Sequence, residues 1–211
     1  MKKVILMLAF VTISFTNVNA QTETDQRENL SFGLKLGTNY SNVYDSDNDD
    51  LVADGKFGFA AGAFVSIPFN KFVGLQPEVM FSQKGFKSSG SLLGSNYEVT
   101  RTSNFIDVPV LLAVKPIEEV TVLFGPQFSY LVSQKDKFKG GAINASQQED
   151  FENDDLTKNI LSLTGGADIN VDNFVLGLRA GWDLKRNDGD GDSTTPRYKN
   201  VWYQATVGYR F

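Results

Sequence analysis

The hydrophobic pattern of this chain alternates with a period of two residues, in one segment after another, from residue 30 to residue 211. Such alternation predicts β-strands with one apolar and one polar face, because successive side chains of a strand point to opposite sides. In the first segment Leu34 and Leu36 share one face, and Lys35 lies on the other. We identify eight such segments, at residues 30–40, 56–67, 73–82, 106–115, 120–130, 161–171, 174–184 and 201–211. Helical periodicity is nowhere long enough to suggest a second domain.

The connections between these segments alternate in length. Three are tight, at residues 68–71, 116–119 and 172–173. Four are long and polar, at roughly residues 42–55, 83–104, 133–159 and 185–199. A membrane barrel with an even number of strands has this layout, with both termini and the short turns on one side and the long loops on the other.

The composition of the two faces indicates which one points outward. The apolar faces carry no Lys, Arg, Asp or Glu, whereas a soluble, lipocalin-like barrel would have charged residues outside and apolar residues inside. Glycine weakens a strand that faces solvent, but it suits a narrow lumen that eight strands crowd with side chains. Ten glycines occupy the polar faces: Gly33, Gly37, Gly58, Gly62, Gly74, Gly125, Gly166, Gly177, Gly181 and Gly208.

We therefore predict an all-β fold, an eight-stranded antiparallel up-and-down transmembrane β-barrel whose apolar face meets lipid. Aromatic residues cluster near the two ends of the predicted strands, which is typical of interfacial girdles. Those near the short turns are Phe69, Phe72, Phe174, Tyr209 and Phe211, and those near the long loops are Tyr40, Phe57, Phe81, Tyr130 and Trp182.

The first residues have the pattern of a secretory signal peptide. A basic tip, Met1-Lys2-Lys3, precedes an apolar run that is too short to span a bilayer, and small side chains lead to Ala20. We expect a cleaved signal peptide at 1–20, a short periplasmic tail at 21–29 and the barrel domain at 30–211. The remaining chain has 18 basic and 25 acidic residues, a balance that argues against nucleic-acid binding.

Several motifs resemble those of known outer-membrane proteins. The final strand, with Tyr203, Val207, Tyr209 and Phe211 at alternate positions, is similar to the signal that the barrel-assembly machinery recognises. Residues 75–78 (Leu-Gln-Pro-Glu), 105–110 and 125–130 resemble motifs of the PorT-like outer-membrane barrel family. This resemblance implies a small Gram-negative envelope protein with both termini in the periplasm, surrounded by outer-membrane lipid and lipopolysaccharide. We expect it to be a monomer.

Four charged residues share the polar face at similar heights along their strands. They are Lys35, Glu78, Asp107 and Arg179, and we predict a cluster of these charges in the middle of the barrel. Such a cluster could provide a proton or ion path, or it could be a structural plug whose charges neutralise each other. We favour the plug, because side chains fill an eight-stranded barrel.

Two of the long loops carry alternating aspartates. Asp45, Asp47 and Asp49 lie in one, and Asp188, Asp190 and Asp192 lie in the other. The spacing resembles the first half of a calcium loop, but neither copy has the glycine at the sixth position or the glutamate at the twelfth. We expect solvated loops and no cofactor, and leave calcium, or bridging of divalent cations to lipopolysaccharide, as the alternative.

The chain contains no His and no Cys, which excludes His-dependent triads, cysteine nucleophiles and thiolate or imidazole metal sites. We therefore expect a non-enzymatic role in envelope integrity, in surface adhesion or as an accessory to a secretion complex. A narrow pore for small solutes and a soluble lipocalin-like carrier are the alternatives.

Overall fold

The computed structural model describes residues 26–44, 53–92, 95–140, 143–149, 159–184 and 199–211. A 3-10 turn at Gln26–Glu28 precedes nine strands. The strands are β1 (Ser31–Tyr44), β2 (Ala53–Pro68), β3 (Val73–Leu92), β4 (Ser95–Ile117), β5 (Val120–Gly140), β6 (Ile143–Glu149), β7 (Asn159–Val171), β8 (Phe174–Asp183) and β9 (Lys199–Arg210). The predicted signal peptide and the first part of the predicted tail lie outside the described residues. No helix in the described part of the chain is long and apolar enough to cross a membrane.

Eight of these strands close into one antiparallel barrel, which confirms the predicted fold class. The order around the barrel is β1, β2, β3, β4, β5, β7, β8 and β9, and β9 returns to β1. Leu34 pairs with Tyr209 and Leu36 with Val207 in the closing ladder. Since every barrel strand has a neighbour on both sides, its backbone groups are satisfied without water.

Two of the predicted long loops are strand over much of their length. β3 and β4 continue as a hairpin to Leu92 and Ser95, within the predicted loop 83–104. β5 continues to Gly140 and pairs antiparallel with β6, a ninth strand, which has β5 as its one partner among the strands that the structure describes. The sequence predicts these segments as loops because their side chains are mostly polar. They are strand because the pairing of the barrel strands continues into them, so that the barrel below already fixes their register.

Small contacts hold this extension of β3, β4, β5 and β6 together. The Arg101 guanidinium forms an ion pair with Asp136 (Nη2–Oδ2 2.6 Å) and lies 5.8 Å above the ring of Phe86. Phe86 packs on Val43, and the rings of Tyr97 and Phe138 stack at 5.9 Å. We refer to this part of the sheet, beyond the barrel wall, as the extension.

Burial is inverted relative to a soluble protein. Leu34 and Leu178, on the outside, are 59% and 65% exposed, whereas Asn39 and Ser162, in the lumen, are fully buried. All ten predicted girdle aromatics are among the exposed apolar residues. The soluble lipocalin-like alternative is therefore wrong, because its apolar face would have to point inward.

The lumen is less uniformly polar than the sequence suggested. Leu111, Ala113 and Leu123 form one buried apolar cluster, and Phe105, Leu131 and Ile160 form another. Along β4, Asp107 lies between these two clusters. The inward-facing positions of the barrel therefore hold apolar side chains as well as the predicted polar ones.

We predict that Leu178→Arg destabilises the barrel by about 2–4 kcal/mol, because it places a charge near the middle of the lipid-facing surface. Ser89→Arg, at an exposed position of the extension, should change stability by less than about 0.5 kcal/mol. Urea unfolding of the barrel in lipid vesicles measures both. Equal effects of the two substitutions would contradict the placement of the lipid-facing belt.

Candidate functional site

Glu78, on β3, is the acceptor of the main charge network in the lumen. Its Oε1 accepts hydrogen bonds from Lys35 Nζ at 2.7 Å and from Gln76 Nε2 at 2.9 Å. Arg179 Nη2 lies 3.6 Å from the same oxygen. The charged side chains are only 3–4% exposed, so the attraction between them is weakly screened by water.

Arg179, on β8, binds a second carboxylate more closely. Its Nη1 donates to Asp168 Oδ1 at 2.7 Å and its Nη2 to Asp168 Oδ2 at 3.0 Å, a two-point contact. Gly177, which pairs with Asp168 across β7 and β8, leaves the room that this ion pair needs: a Cβ there would lie 2.7 Å from Asp168 Oδ1. Two cations, Lys35 and Arg179, thus balance two anions, Glu78 and Asp168.

Asp107 belongs to a separate ion pair, contrary to the predicted arrangement. It binds Lys84, with the Lys84 Nζ 2.9 Å from Asp107 Oδ2, rather than Arg179 or Lys35. The Lys84 ammonium also lies 5.0 Å from the ring centre of Phe105 and 4.8 Å from that of Trp202. The aromatic rings and Asp107 together enclose this charge, because Lys84 reaches along β3 towards the register position of Asp107.

The structure thus brings together three of the four predicted residues, Lys35, Glu78 and Arg179, and adds Asp168 and Lys84. Asp168 is on the predicted lumen face, but it lies nearer its short turn than Glu78, Asp107 and Arg179 lie to theirs. The long Arg179 side chain closes that gap. Lys84 lies in the segment 83–104, which the sequence predicts as a loop, so no inward face is predicted for it; in the structure it belongs to β3.

A small cavity separates the two ion-paired groups. Its volume is about 10 Å³, which is room for about one water molecule. Glu78, Asp107, Arg179 and Trp202 are among the residues that line it. Asp107 Oδ1, Arg179 Nε and Trp202 Nε1 are buried and have no hydrogen-bond partner within the described ranges. The lumen is therefore filled by side chains at this level.

At the short-turn end, the tail contacts the inner wall of the barrel. Lys115, inside the wall, donates from Nζ to Ser66 Oγ at 3.1 Å and to the backbone oxygen of Arg27 at 3.2 Å. The Arg27 guanidinium lies 5.5 Å above the ring of Phe72, in the turn between β2 and β3. The end of the tail at residues 26–28 thus contacts the inner wall at this mouth. A cleft of about 360 Å³ lies among the turns, lined by Glu118, Glu119, Asn170, Val171, Asp172 and Arg210.

The predicted assembly signal lies on the outside of the closing strand. Tyr203, Val207, Tyr209 and Phe211 are all exposed towards the lipid side. The Phe211 ring packs 5.2 Å from that of Tyr209 and 5.6 Å from that of Phe32. Tyr209 and Phe211 form part of the girdle at the short-turn end.

The predicted divalent-cation loops lie outside the described residues. This applies to Asp45, Asp47 and Asp49 and equally to Asp188, Asp190 and Asp192. Among the residues that the structure does describe, no three carboxylates group as a metal site. Calcium binding by these loops stays a prediction.

A closed barrel with an apolar outer belt, aromatic girdles and a packed polar lumen is an integral membrane β-barrel. A model of the family described as the outer membrane protein beta-barrel domain matches residues 19–186, and the chain belongs to that family. It is an outer-membrane protein of the Gram-negative, porin-like kind. No curated protein matches the sequence significantly.

Several solved structures are similar to this chain. Ail, the attachment invasion locus protein of Yersinia pestis, was solved in complex with the heparin analogue sucrose octasulfate. It is 18% identical over 86% of this chain and 99% of its own, with a TM-score of 0.48. Neisserial surface protein A is 12% identical over 85% and 97%, with a TM-score of 0.48. OprG of Pseudomonas aeruginosa is 9% identical over 90% and 99%, with a TM-score of 0.39.

We predict that Arg179→Ala destabilises the folded barrel by about 3–5 kcal/mol, because it leaves Asp168 and Glu78 buried without their shared cation. Arg101→Ala is the matched control: it also removes an arginine from an ion pair, but those side chains are 17% and 33% exposed. Its cost should be about 0–1 kcal/mol. Urea titration in lipid vesicles compares the two, and an Arg179→Ala cost as small as the control would contradict a buried, interdependent network.

Proposed function

We propose that this protein is a non-conducting structural barrel that supports the integrity of the outer membrane and presents its extension as a contact surface outside the cell. The observation that carries this proposal is the filled lumen. Six charged side chains and Gln76 form two groups of contacts across it, and the cavity between the groups has a volume of only about 10 Å³.

The energetics of the network argue against the narrow pore. An ion in transit would have to separate contacts such as Arg179–Asp168, in which both side chains are almost fully buried. Separating a buried pair costs several kcal/mol, and the apolar clusters on either side of Asp107 offer an ion no compensating ligands. An eight-stranded wall leaves no space for a second path.

The surface role rests on the extension. β3 continues eleven residues beyond Phe81, a girdle aromatic, so at about 3.3 Å per residue its tip lies roughly 36 Å further along the strand. Short periplasmic turns and longer outer loops are the rule for this class, and we propose the same orientation here, with both termini in the periplasm. A sheet that projects from the membrane in this way suits adhesion or contact with other envelope components.

We further propose that the chain is a PorT-like member of its family, a non-enzymatic monomer whose last strand is read by the barrel-assembly machinery. The absence of His and Cys supports the non-enzymatic role. The closed barrel supports the monomer, since its membrane-embedded wall has no unpaired strand edge. Service to a secretion complex would use the same external surface or the turns at the other end.

Conductance tests the proposal directly. We expect the purified, folded protein to show no stable open channel in planar bilayers. Heat-modifiable migration on gels of the same sample verifies that it is folded, so that silence is not mistaken for failed insertion. Long-lived open channels from the folded protein would contradict the plug.

Single cysteines test the orientation, and the cysteine-free chain makes the labelling specific. Ser89→Cys, in the extension, should react with a membrane-impermeant maleimide in intact cells. Asn173→Cys, in the short turn between β7 and β8, should react only after the outer membrane is permeabilised. Ser162→Cys, fully buried in the lumen, is the control and should stay unlabelled in both conditions. The opposite pattern for the first two would reverse the orientation.

A further inference from the structure

Five lysines lie close together on the extension and the adjoining end of β2. These residues, which we call the lysine patch, are Lys56, Lys87, Lys135, Lys137 and Lys139. Lys87 pairs in register with Thr100, and Thr100 pairs with Lys137. The two lysines are therefore two strands apart on one row, about 10 Å between backbones. Lys135 and Lys139 flank Lys137 on the same face of β5, because side chains alternate along a strand.

Among the residues that the structure describes, acidic neighbours cancel the positive charge of the patch only in part. By register, Glu98 lies opposite Lys139 and Asp54 opposite Lys87, which leaves five cations against two anions. Within the described part of the chain, none of the five lysines forms an ion pair with a carboxylate. Partial burial lowers the pKa of Lys56, and the positive charges of Lys87 and Lys137 lower it further. The chain has a net charge of -5, but the lysine patch is locally positive. A local cluster of positive charges attracts an anionic partner.

The height of the patch identifies where that partner lies. Phe81 and Tyr130, both exposed girdle aromatics, share one row through Ile106. Lys87 lies six residues beyond Phe81, and Lys135 lies five beyond Tyr130. At about 3.3 Å per residue and a tilt of about 40°, this places them roughly 13–15 Å above the aromatic girdle. Lys56 is next to Phe57, at the girdle itself.

The side of the sheet matters as much as the height. The outer face of the extension carries four exposed lysines, Lys87, Lys135, Lys137 and Lys139. The opposite face carries Arg101, which forms its ion pair with Asp136 and lies over the buried ring of Phe86. The exposed lysines therefore lie above the lipid-facing belt, where the headgroups of neighbouring outer-leaflet lipids stand. Those headgroups are phosphorylated sugars when the lipid is lipopolysaccharide.

We propose that the lysine patch binds phosphate groups of the lipopolysaccharide headgroup beside β2, β3, β4 and β5. The proposal rests on the proposed function in one respect, since it requires the extension to face the outer leaflet. Flexible ammonium groups act as point charges and suit phosphates whose positions vary between lipid molecules. Each lysine near an anionic membrane surface contributes appreciably to binding, so four or five together make a lasting contact. The barrel would thereby anchor the lipids around it without bridging cations.

The test measures binding of fluorescently labelled lipopolysaccharide to the folded, detergent-solubilised protein by anisotropy, with EDTA present throughout to remove divalent bridges. The test variant carries Lys87→Gln, Lys135→Gln, Lys137→Gln and Lys139→Gln. The matched control carries arginine at the same four positions and keeps the charge. We expect the Gln variant to bind at least about tenfold more weakly and the Arg variant to bind within about threefold of the unaltered protein.

Dephosphorylated lipopolysaccharide distinguishes phosphate recognition from contact with acyl chains or sugars. We expect it to bind the unaltered protein about as weakly as intact lipopolysaccharide binds the Gln variant. Equal affinity of the unaltered protein for both lipids would overturn the proposal. So would a Gln variant that binds normally but unfolds at lower urea, because the lysines would then pair with acidic segments of this chain.

The Lys87→Gln, Lys137→Gln double variant provides a second measurement if the fourfold variant does not fold. It should show an intermediate loss of affinity, and unchanged affinity would overturn the proposal. Binding in detergent does not depend on orientation or conductance. Open channels would therefore count against the proposed function alone, and normal binding by the Gln variant against the lysine patch alone. Reversed cysteine labelling would count against both, because the patch would then face away from the outer leaflet.

Discussion

The closed ladder of backbone hydrogen bonds is the constraint on which the rest of this structure depends. Lipid cannot satisfy an unpaired N–H or C=O group, so a sheet that crosses the membrane has to join its first and last strands. Here β1 and β9 meet along twelve register pairs, from Gly33–Arg210 to Tyr44–Lys199. Closure with eight strands makes the barrel narrow, and narrowness forces the inward side chains into contact.

That contact gives the lumen its chemistry. Charged side chains that cannot reach water are stable only when they are paired, and Lys35, Glu78, Asp168 and Arg179 form such a set with no net charge. The pair of Lys84 and Asp107 is enclosed in the same way by Phe105 and Trp202. Beyond the membrane the constraint is lifted, and β3 to β6 continue as a water-exposed sheet whose charges can face outward. The buried charges help to fill the barrel, whereas Lys87, Lys135, Lys137 and Lys139 are exposed on the extension.

Much of the site could be predicted from the alternating pattern, but its pairing could not. The alternation placed Lys35, Glu78 and Arg179 on the lumen side, and the structure brings them together. It could not show that Arg179 binds Asp168 most closely, because that depends on the side chain bending towards the short turn past Gly177. It also missed Lys84, since a polar segment that is still strand looks like a loop when only hydrophobicity is considered.

The sequence by itself determined the number of barrel strands, the face that meets lipid and the side that carries the short turns. These follow from a period of two and from composition, both of which are local properties. Only the tertiary structure decided which charges pair, how far the strands continue beyond the membrane and where the lysine patch lies. Those outcomes depend on the register between strands and on the reach of long side chains. Both bring together residues that are far apart in the chain, as Glu78 does when it contacts Lys35 and Arg179.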